Sequence, residues 1–476
     1  MSAPVRLAHF VDNADFRADG EIFDTILNPA NEEVLWAFPN ASAETVSFAV
    51  ASARRAAGTW ADIEPQERAR YLHRCVDVLS AGSDTYAALI TRENGKPIIE
   101  ARGEVQATID ELRSIVGLAL HIRTGKQMSG AGELSFQQGR PRGVVACIVP
   151  WNYPLLTVLT AVFSALVVGN TVVLKPSEKT PNSALLPIRD FAASLPVGAL
   201  NVVLGDGRTT GAALVESEHV DFVLFVGSLP TGQAIARICA DRMRPSIMEL
   251  GGKDAFIIDE GGDLDRLVPM ALACAFRNAG QICTSSERFI VHRSVYADFS
   301  NRLALAANAM RVGDGMDETT QMGPLIDARQ RAIVARHLSD AVDRGARLLS
   351  GEHLLPTQGF FHSPAVVADV PEESTLWVEE TFGPVAPIVP FEDFADALRI
   401  ANGSQYGLGA VLFTPRSDHA MQAAEQLQVG LLKINAPIGV GTGNTWEPAR
   451  RSGFGFGGGR ELLQSLIHQK SVVWRA

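Results

Sequence analysis

The sequence is poor in cysteine, and its cysteines stand far apart. Only five occur among 476 residues, and no two of them have the C-x-x-C spacing. They are Cys75, Cys147, Cys239, Cys274 and Cys283. An odd, scattered set predicts neither a disulfide framework nor a zinc site. We therefore expect free thiols, no bound metal and a cytoplasmic location.

An excess of positive charge is also missing. Lys and Arg together number 42 against 53 Asp and Glu, which gives a net charge of −11. Binding of nucleic-acid phosphates needs a basic surface, so we expect no nucleic-acid partner. The first twenty residues carry acids and no continuous apolar stretch, so we expect no secretory signal or transit peptide. The 46% hydrophobic content instead predicts packed globular cores.

One long apolar stretch, residues 155–174, is the candidate for a membrane span. Pro150 and Pro154 interrupt its start, and Gly169-Asn170 is a turn signal. A helix of about 14 residues is left, which spans only about 21 Å. A bilayer core needs about 20 residues, so we predict a buried helix between two strands and no membrane contact.

Apolar runs of strand length alternate with helical patterns from residue 143 onward. The predicted strands are GVVACIV, TVVLK, LNVVLG, VDFVLFVG and SIMEL. Continuous apolar strands are buried on both faces, which is typical of a parallel sheet covered by helices. A second βα series runs from about residue 255 to 435. The fold class is therefore α/β, with two doubly wound parallel-sheet domains.

Two further regions complete this organisation. Residues 41–120 have apolar side chains at i, i+3 and i+4, which predicts helices that pack on the first sheet. Residues 124–142 are polar and glycine-rich with short alternating pieces, and SVVW near the C-terminus predicts another short strand. These pieces indicate either a small β oligomerisation hairpin or a solvated loop.

Six ordered motifs resemble the aldehyde dehydrogenase superfamily. They are PWNYP (150–154), KPSE (175–178), FVGS (225–228), MELGGK (248–253), FRNAGQIC (276–283) and EETFGP (379–384). The resemblance implies a Rossmann-like NAD(P)-binding domain formed by residues 1–122 and 143–250. It also implies a catalytic domain at 251–445, oligomerisation segments at 123–142 and 462–476, and a homodimer or homotetramer.

The implied reaction is the oxidation of a small-molecule aldehyde to a carboxylic acid with NAD(P)+. From the residues alone, Cys283 reads as a buried hydrophobe, Glu249 as a salt-bridged or surface group and Asn152 as a turn residue. By resemblance, Cys283 is the nucleophile that forms a thiohemiacetal and then a thioester. Glu249 is then the general base for the hydrolytic water, and the Asn152 amide joins the Cys283 backbone N–H in an oxyanion hole.

The resemblance also implies a set of cofactor contacts. The matching positions are Trp151, Lys175, Glu178, Gly227, Ser228, Glu380 and Phe382. Ser228 also suits the ordinary role of a helix N-cap. A carboxylate near the ribose accepts hydrogen bonds from the diol and repels a 2′-phosphate, so Glu178 favours NAD. Lys175 could bind that phosphate, so NADP stays open.

The substrate is less well defined by the sequence. The expected tunnel residues are Tyr153, Thr157, Thr160, Ile282, Thr284 and Trp446. No Arg or Lys is placed by a motif where a carboxylate tail would lie, and the aromatic side chains could receive an aromatic or cationic aldehyde. Val226 stands where the family usually has threonine. The segment 436–460 also departs from the family pattern, so no role is assigned to Glu461.

Two alternatives remain at this point. In a CoA-acylating semialdehyde dehydrogenase, a thiol rather than water resolves the thioester, but Glu249 argues for water. A non-catalytic binding or structural relative would keep the fold without turnover, but the joint presence of Cys283, Glu249 and Asn152 argues against it.

Overall fold

A computed structural model of the chain describes residues 4–122, 127–130, 133–351, 353–436 and 443–475. The α-helices, numbered α1 to α15 in chain order, are Ala43–Asp62, Pro65–Ala81, Ser83–Asn94, Ile98–Ala119, Leu156–Val167, Pro181–Ala192, Ala212–Glu216, Leu229–Asp241, Leu264–Phe276, Arg293–Asn308, Ala328–Asp343, Thr375–Val378, Phe394–Asn402, Ser417–Gln426 and Gly459–Ser465. The strands, numbered β1 to β23, are Val5–Arg6, His9–Val11, Ala14–Phe16, Phe23–Leu27, Val34–Pro39, Gln127–Gly130, Glu133–Pro141, Val144–Ile148, Thr171–Lys175, Leu200–Val202, Phe222–Val226, Ser246–Glu249, Asp254–Ile258, Ser286–His292, Arg347–Leu348, Ala365–Ala368, Val385–Phe391, Tyr406–Gly407, Gly409–Phe413, Leu431–Ile434, Ala449–Arg450, Gly453–Phe454 and Ile467–Arg475.

The first large sheet has the strand order β22-β12-β11-β8-β9-β10-β2-β3. Its central strands from β12 to β10 are parallel, as their continuous apolar sequences predict. Strand β22 at one edge and strand β2, which lies between β10 and the other edge strand β3, pair in antiparallel orientation, and the sequence analysis did not predict either of them. In register, Ile148 lies between Phe225 and Lys175, so the loops after these strands leave the sheet at the same edge.

The second large sheet has the order β15-β16-β17-β14-β13-β19-β20. All its pairings are parallel except that between β15 and β16. The α/β class with two parallel-strand sheets is therefore confirmed. A separate hydrophobic core surrounds this sheet, with Phe256, Phe289 and Phe299 fully buried in it.

Helices α1 to α4 occupy most of residues 41–120, as predicted. The apolar stretch at 155–174 forms α5, a turn and β9. Helix α5 has 12 residues, which corresponds to a length of about 18 Å. Among the described residues, no helix is both long and apolar enough to cross a membrane.

A third sheet joins β23, β7 and β6. Strand β23 pairs with β7 along nine residues, so the short strand predicted from SVVW is longer than expected. The predicted segment boundary at residue 462 lies inside α15, because Leu462 and Leu463 are buried in the core of the first sheet. This helix therefore belongs to the packing of the first sheet.

Candidate active site

The loops at one edge of the first sheet enclose a cavity of about 220 Å³, which we call the first cavity. Its walls come from the loop after β8, the loops after β11 and β12, and two segments of the second half of the chain. They are lined by Pro150, Trp151, Asn152, Tyr153, Thr157, Val226, Gly227, Ser228, Glu249, Leu250, Gly251, Cys283, Glu380 and Phe382.

A second cavity, of about 240 Å³, adjoins the first. It is lined by Ala107, Glu111, Leu156, Thr157, Thr160, Ala161, Leu224, Val226, Ile247, Glu249, Cys283, Asn444, Trp446, Phe456, Gly457, Gly458 and Leu462. Four residues line both cavities: Thr157, Val226, Glu249 and Cys283. The thiol and the carboxylate therefore lie where two separate binding spaces meet.

An unusual turn presents Cys283 to these cavities. Asn278 and Ala279 both adopt left-handed backbone angles, with φ of 49° and 53°, and Gly280 follows with φ of 73°. A Cβ on Gly280 would lie 2.2 Å from the carbonyl oxygen of Gly383, so only glycine fits there. The side chain of Gln281 donates to the carbonyl of Asn278 at 2.9 Å and closes the turn.

The environment of Cys283 disfavours the thiolate. Burial raises the pKa of the Cys283 thiol well above its ordinary value, and the carboxylates of Glu249, Asp254 and Glu380 raise it further. The thiol donates a hydrogen bond to Glu249. Since the thiol is neutral at rest, an adjacent base must remove its proton before it can attack a carbonyl.

Glu249 has the properties of such a base. It stands at the end of β12 and is 7% exposed, and its Oε1 has no hydrogen-bond partner among the described residues. Burial raises its pKa to about 7, against the lowering effect of the hydrogen bond from Cys283. A carboxylate with a pKa near neutrality can both accept and release a proton at physiological pH.

The amide of Asn152 lines the first cavity beside Cys283. Its Nδ2 donates to the carbonyl of Gln281 at 3.1 Å. An amide nitrogen carries two hydrogens, so a second donor remains for a ligand. The Asn152 carbonyl accepts hydrogen bonds from Lys96 Nζ at 2.8 Å and from Asn278 Nδ2 at 3.0 Å. The loop that carries Asn152 is thus tied to α4 and to the cysteine turn.

A buried ion pair anchors the same loop. Lys96 Nζ lies 2.6 Å from Glu104 Oε2, and both side chains are almost fully buried. The other carboxylate oxygen of Glu104 accepts the backbone N–H groups of Leu155 and Leu156 at 2.9 and 3.2 Å. Sequence reasoning missed both charged residues, because nothing local marks them as partners of a loop some 50 residues away.

Glu380 and Phe382 enter the first cavity from a segment held by a second buried ion pair. Lys253 Nζ contacts Glu287 at 2.6 Å, and the Glu287 carboxylate accepts the backbone N–H groups of Thr381 and Phe382. Glu380 accepts the Gly252 N–H at 3.1 Å, and burial raises its pKa to about 8. Contacts with buried carboxylates therefore fix the conformation of the segment that carries Glu380 and Phe382.

The first cavity offers groups that suit the nicotinamide end and the phosphates of a dinucleotide. Ser228 is the N-cap residue of α8, but its side chain contacts Thr231 and makes no hydrogen bond to the helix backbone. The N-terminal N–H groups of this 13-residue helix are thus available to a phosphate. At the end of β9, which lies on the other side of β8 from β11, Lys175 and Glu178 form an ion pair at 3.3 Å, outside the residues that line the cavity.

The structure distributes the expected tunnel residues between the two cavities. Tyr153 lines the first, Thr157 lines both, and Thr160 and Trp446 line the second. Ile282 and Thr284 line neither, although they flank Cys283 in the chain. Sequence reasoning missed Ala107, Glu111, Asn444 and Phe456, which carry no motif.

Glu461, to which the sequence analysis assigned no role, has a hydrogen-bond partner in the structure. Glu461 accepts a hydrogen bond from the Thr445 hydroxyl. Within the described ranges, no cluster of His, Cys, Asp and Glu has the arrangement of a metal site.

Comparisons with known proteins agree with this geometry. The chain matches the aldehyde dehydrogenase family over residues 17–472. It is 34% identical to the NADP(+)-dependent succinate-semialdehyde dehydrogenase of Escherichia coli, with 95% of this chain and 94% of that protein covered. It is 36% identical to phenylacetaldehyde dehydrogenase of Pseudomonas fluorescens, with 94% and 92% covered.

A solved structure supports the same conclusion. The NAD+ complex of an aldehyde dehydrogenase from Bacillus cereus has a TM-score of 0.96 and 32% identity to this chain, with 99% of this chain and 96% of that one covered. The non-catalytic alternative is therefore set aside. This chain belongs to the aldehyde dehydrogenase family and is an NAD(P)-dependent oxidoreductase that converts an aldehyde to the corresponding acid.

Proposed function

We propose that Cys283, Glu249 and Asn152 carry the reaction at the junction of the two cavities, with the cofactor in the first and the aldehyde tail in the second. The observation that carries this proposal is the shared wall: Cys283 and Glu249 line both cavities. A carbonyl carbon beside the Cys283 sulfur would have a binding space on either side.

In the first half-reaction, the carboxylate of Glu249 takes the proton of the Cys283 thiol. The sulfur forms a bond to the carbonyl carbon, and the second Nδ2 hydrogen of Asn152 stabilises the negative charge on the oxygen. Bound NAD(P)+ supplies the acceptor for the hydride that leaves this carbon. The oxygen then re-forms its double bond to carbon, and the substrate is held on Cys283 as a thioester.

Before the second half-reaction, Glu249 releases the thiol proton to solvent. It then takes a proton from water, and the hydroxide adds to the thioester carbon. The carbon–sulfur bond breaks, the carboxylic acid leaves, and Glu249 returns its proton to the Cys283 sulfur, which restores the thiol. Water is favoured over coenzyme A because Glu249 offers a buried carboxylate oxygen, Oε1, that has no hydrogen-bond partner in the part of the chain that the structure describes.

We assign the cofactor contacts to Trp151, Gly227, Ser228, Glu380 and Phe382, which line the first cavity. Lys175 and Glu178 would hold the adenosine ribose at the end of β9, and the exposed Glu178 carboxylate favours NAD over NADP. Residues 1–122 and 143–250 then form the cofactor domain, and 251–445 the catalytic domain.

We further propose a cytoplasmic homodimer or homotetramer. The three-stranded sheet of β6, β7 and β23 supports this assembly because β23 is an edge strand with exposed apolar side chains, Val473 and Trp474. The oligomerisation segments are then 123–142 and 467–475, of which residues 123–126 and 131–132 lie outside the described part of the chain.

The test of the proposed function is the formation of NADH and NADPH with a panel of aldehydes, with and without coenzyme A. We expect turnover without coenzyme A and its loss in Cys283→Ala. Cys239→Ala is the matched control, because Cys239 is buried in the core of the first sheet. Strict dependence on coenzyme A would favour the acylating alternative, and full activity of Cys283→Ala would overturn the assignment.

A further inference from the structure

The second cavity contains negative charge and no positive charge. Its acidic lining residues are Glu111, Glu249 and the thiol of Cys283, and no Lys, Arg or His of the described chain lines it. In the sequence, residues 437–442 precede Asn444 and lie outside the described part of the chain; they read PIGVGT and include no charged side chain. Since Glu249 already belongs to the chemistry at Cys283, Glu111 is the charged group left to meet a substrate tail.

Glu111 is held in place by its surroundings. It lies on α4, one turn after Ala107, and both residues line the same cavity. Its Oε2 accepts the backbone N–H of Gly443 at 3.2 Å. Its Oε1 has no hydrogen-bond partner within the described ranges, so this oxygen can contact a ligand.

Two aromatic side chains, Trp446 and Phe456, line the cavity with Glu111. The indole of Trp446 packs against Gly457, where an added Cβ would lie 2.1 Å from the ring. The ring therefore has a fixed position that depends on a glycine. Aromatic faces beside a carboxylate form an environment that favours a cation and excludes an anion.

These three residues line the second cavity only, whereas Cys283 lines both. An aldehyde whose carbonyl lies at Cys283 must therefore extend its tail past Glu111, Trp446 or Phe456. A carboxylate tail would meet a like charge in a partly buried space without any compensating cation, which is unfavourable.

We propose that the second cavity selects aldehydes with a cationic tail, an ammonium or quaternary ammonium group, and that Glu111 is the residue that sets this preference. The inference rests on the proposed function, because it takes Cys283 as the point where the carbonyl binds. It separates this chain from its Escherichia coli relative, whose name specifies an aldehyde that carries a carboxylate.

Three aldehydes of equal chain length test the proposal, each with NAD+ and NADP+. They are 4-(trimethylammonio)butanal, its neutral carbon isostere 5,5-dimethylhexanal, and 5-oxopentanoate. We expect kcat/KM to fall in that order, with the cation preferred over the anion by about 100-fold. In Glu111→Gln, the preference for the cation over its neutral isostere should fall about tenfold.

Two further variants complete the design. Glu111→Lys should reverse the order and favour the anion. Glu425→Gln, an exposed glutamate on helix α14, is the matched control and should leave all three values unchanged. Turnover of the neutral isostere in every variant shows that the site is intact.

The outcomes separate the two claims. Preference for 5-oxopentanoate, or a cation preference unchanged in Glu111→Gln, overturns the inference about Glu111 and leaves the aldehyde dehydrogenase chemistry standing. Failure to oxidise any of the three aldehydes, with turnover of other aldehydes of the panel, overturns the inference alone, whereas full activity of Cys283→Ala overturns the proposed function on which it rests.

Discussion

At the scale of single residues, the Asn152 amide has one hydrogen committed to the protein and one available to the substrate oxygen. We predict that Asn152→Ala lowers kcat by about 10² to 10³ with a small change in KM, because the lost donor acts in the transition state. Steady-state kinetics with a saturating aldehyde measure this. Asn308→Ala, at the exposed end of α10, is the control and should match the wild type.

Glu249 predicts a pH dependence. Its pKa of about 7 is above the ordinary value, so the protonated form predominates below that pH and cannot act as a base. We expect kcat to rise as the pH increases through about 7, because ionisation of Glu249 determines the acidic side of the pH–rate profile. Glu249→Gln should be nearly inactive and lack this rise. A rise through pH 7 that persists in Glu249→Gln would assign the ionisation to another group.

The candidate site could be predicted only in part from the sequence. Cys283, Glu249 and Asn152 were singled out by motifs that resemble the aldehyde dehydrogenase family, whereas the residues alone indicated a buried hydrophobe, a salt-bridged or surface group and a turn residue. Glu111 has no such motif, since a glutamate on a helix ordinarily faces solvent. The left-handed angles at Asn278 and Ala279 also escape prediction, because tertiary contacts rather than local preference impose them.

At the scale of elements, the buried pair of Lys96 and Glu104 joins α4 to the loop that carries Asn152. Removal of one partner leaves an uncompensated buried charge, so we predict that Lys96→Met lowers the free energy of unfolding by about 3 to 5 kcal/mol. Urea denaturation measures this change.

The double variant Lys96→Met/Glu104→Leu separates stability from positioning. It removes both charges and should recover part of the lost stability. It should nevertheless keep a reduced kcat. The hydrogen bond that Lys96 donates to the Asn152 carbonyl and the one that the Leu155 N–H donates to Glu104 are still missing. A double variant with wild-type kcat would show that the pair has no positioning role.

The central strands were predictable from their apolar sequences, because burial on both faces leaves a clear signal in strands such as β8 and β9. The antiparallel strands β2 and β22 were not, since each has only two or three residues and depends on a distant partner for its pairing. Strand β23 was predicted too short, because most of its residues are exposed and carry no apolar pattern.

At the scale of the whole molecule, residues from both ends of the chain complete the first sheet. Strand β23 is an edge strand of the separate three-stranded sheet that it forms with β7 and β6. Trp474 is 64% exposed on this edge. We predict that Trp474→Lys shifts the protein toward smaller species in sedimentation velocity, because it places a charge in an apolar contact. Leu305→Lys, at an exposed position of α10, should leave the distribution unchanged. Identical sedimentation of Trp474→Lys and the wild type would exclude this edge from the assembly.

The most direct test of the account is the identity of the residue that carries the acyl group. Enzyme mixed with cofactor and aldehyde is quenched in acid during the first turnover, digested and analysed by mass spectrometry, with Glu249→Gln treated in parallel. We predict an acyl group on the peptide that contains Cys283. In Glu249→Gln this acyl group should form more slowly and, once formed, persist longer, because Glu249 serves both proton transfers. Reduced cofactor formed without acylation of Cys283, or an acyl group on another cysteine, would contradict the account.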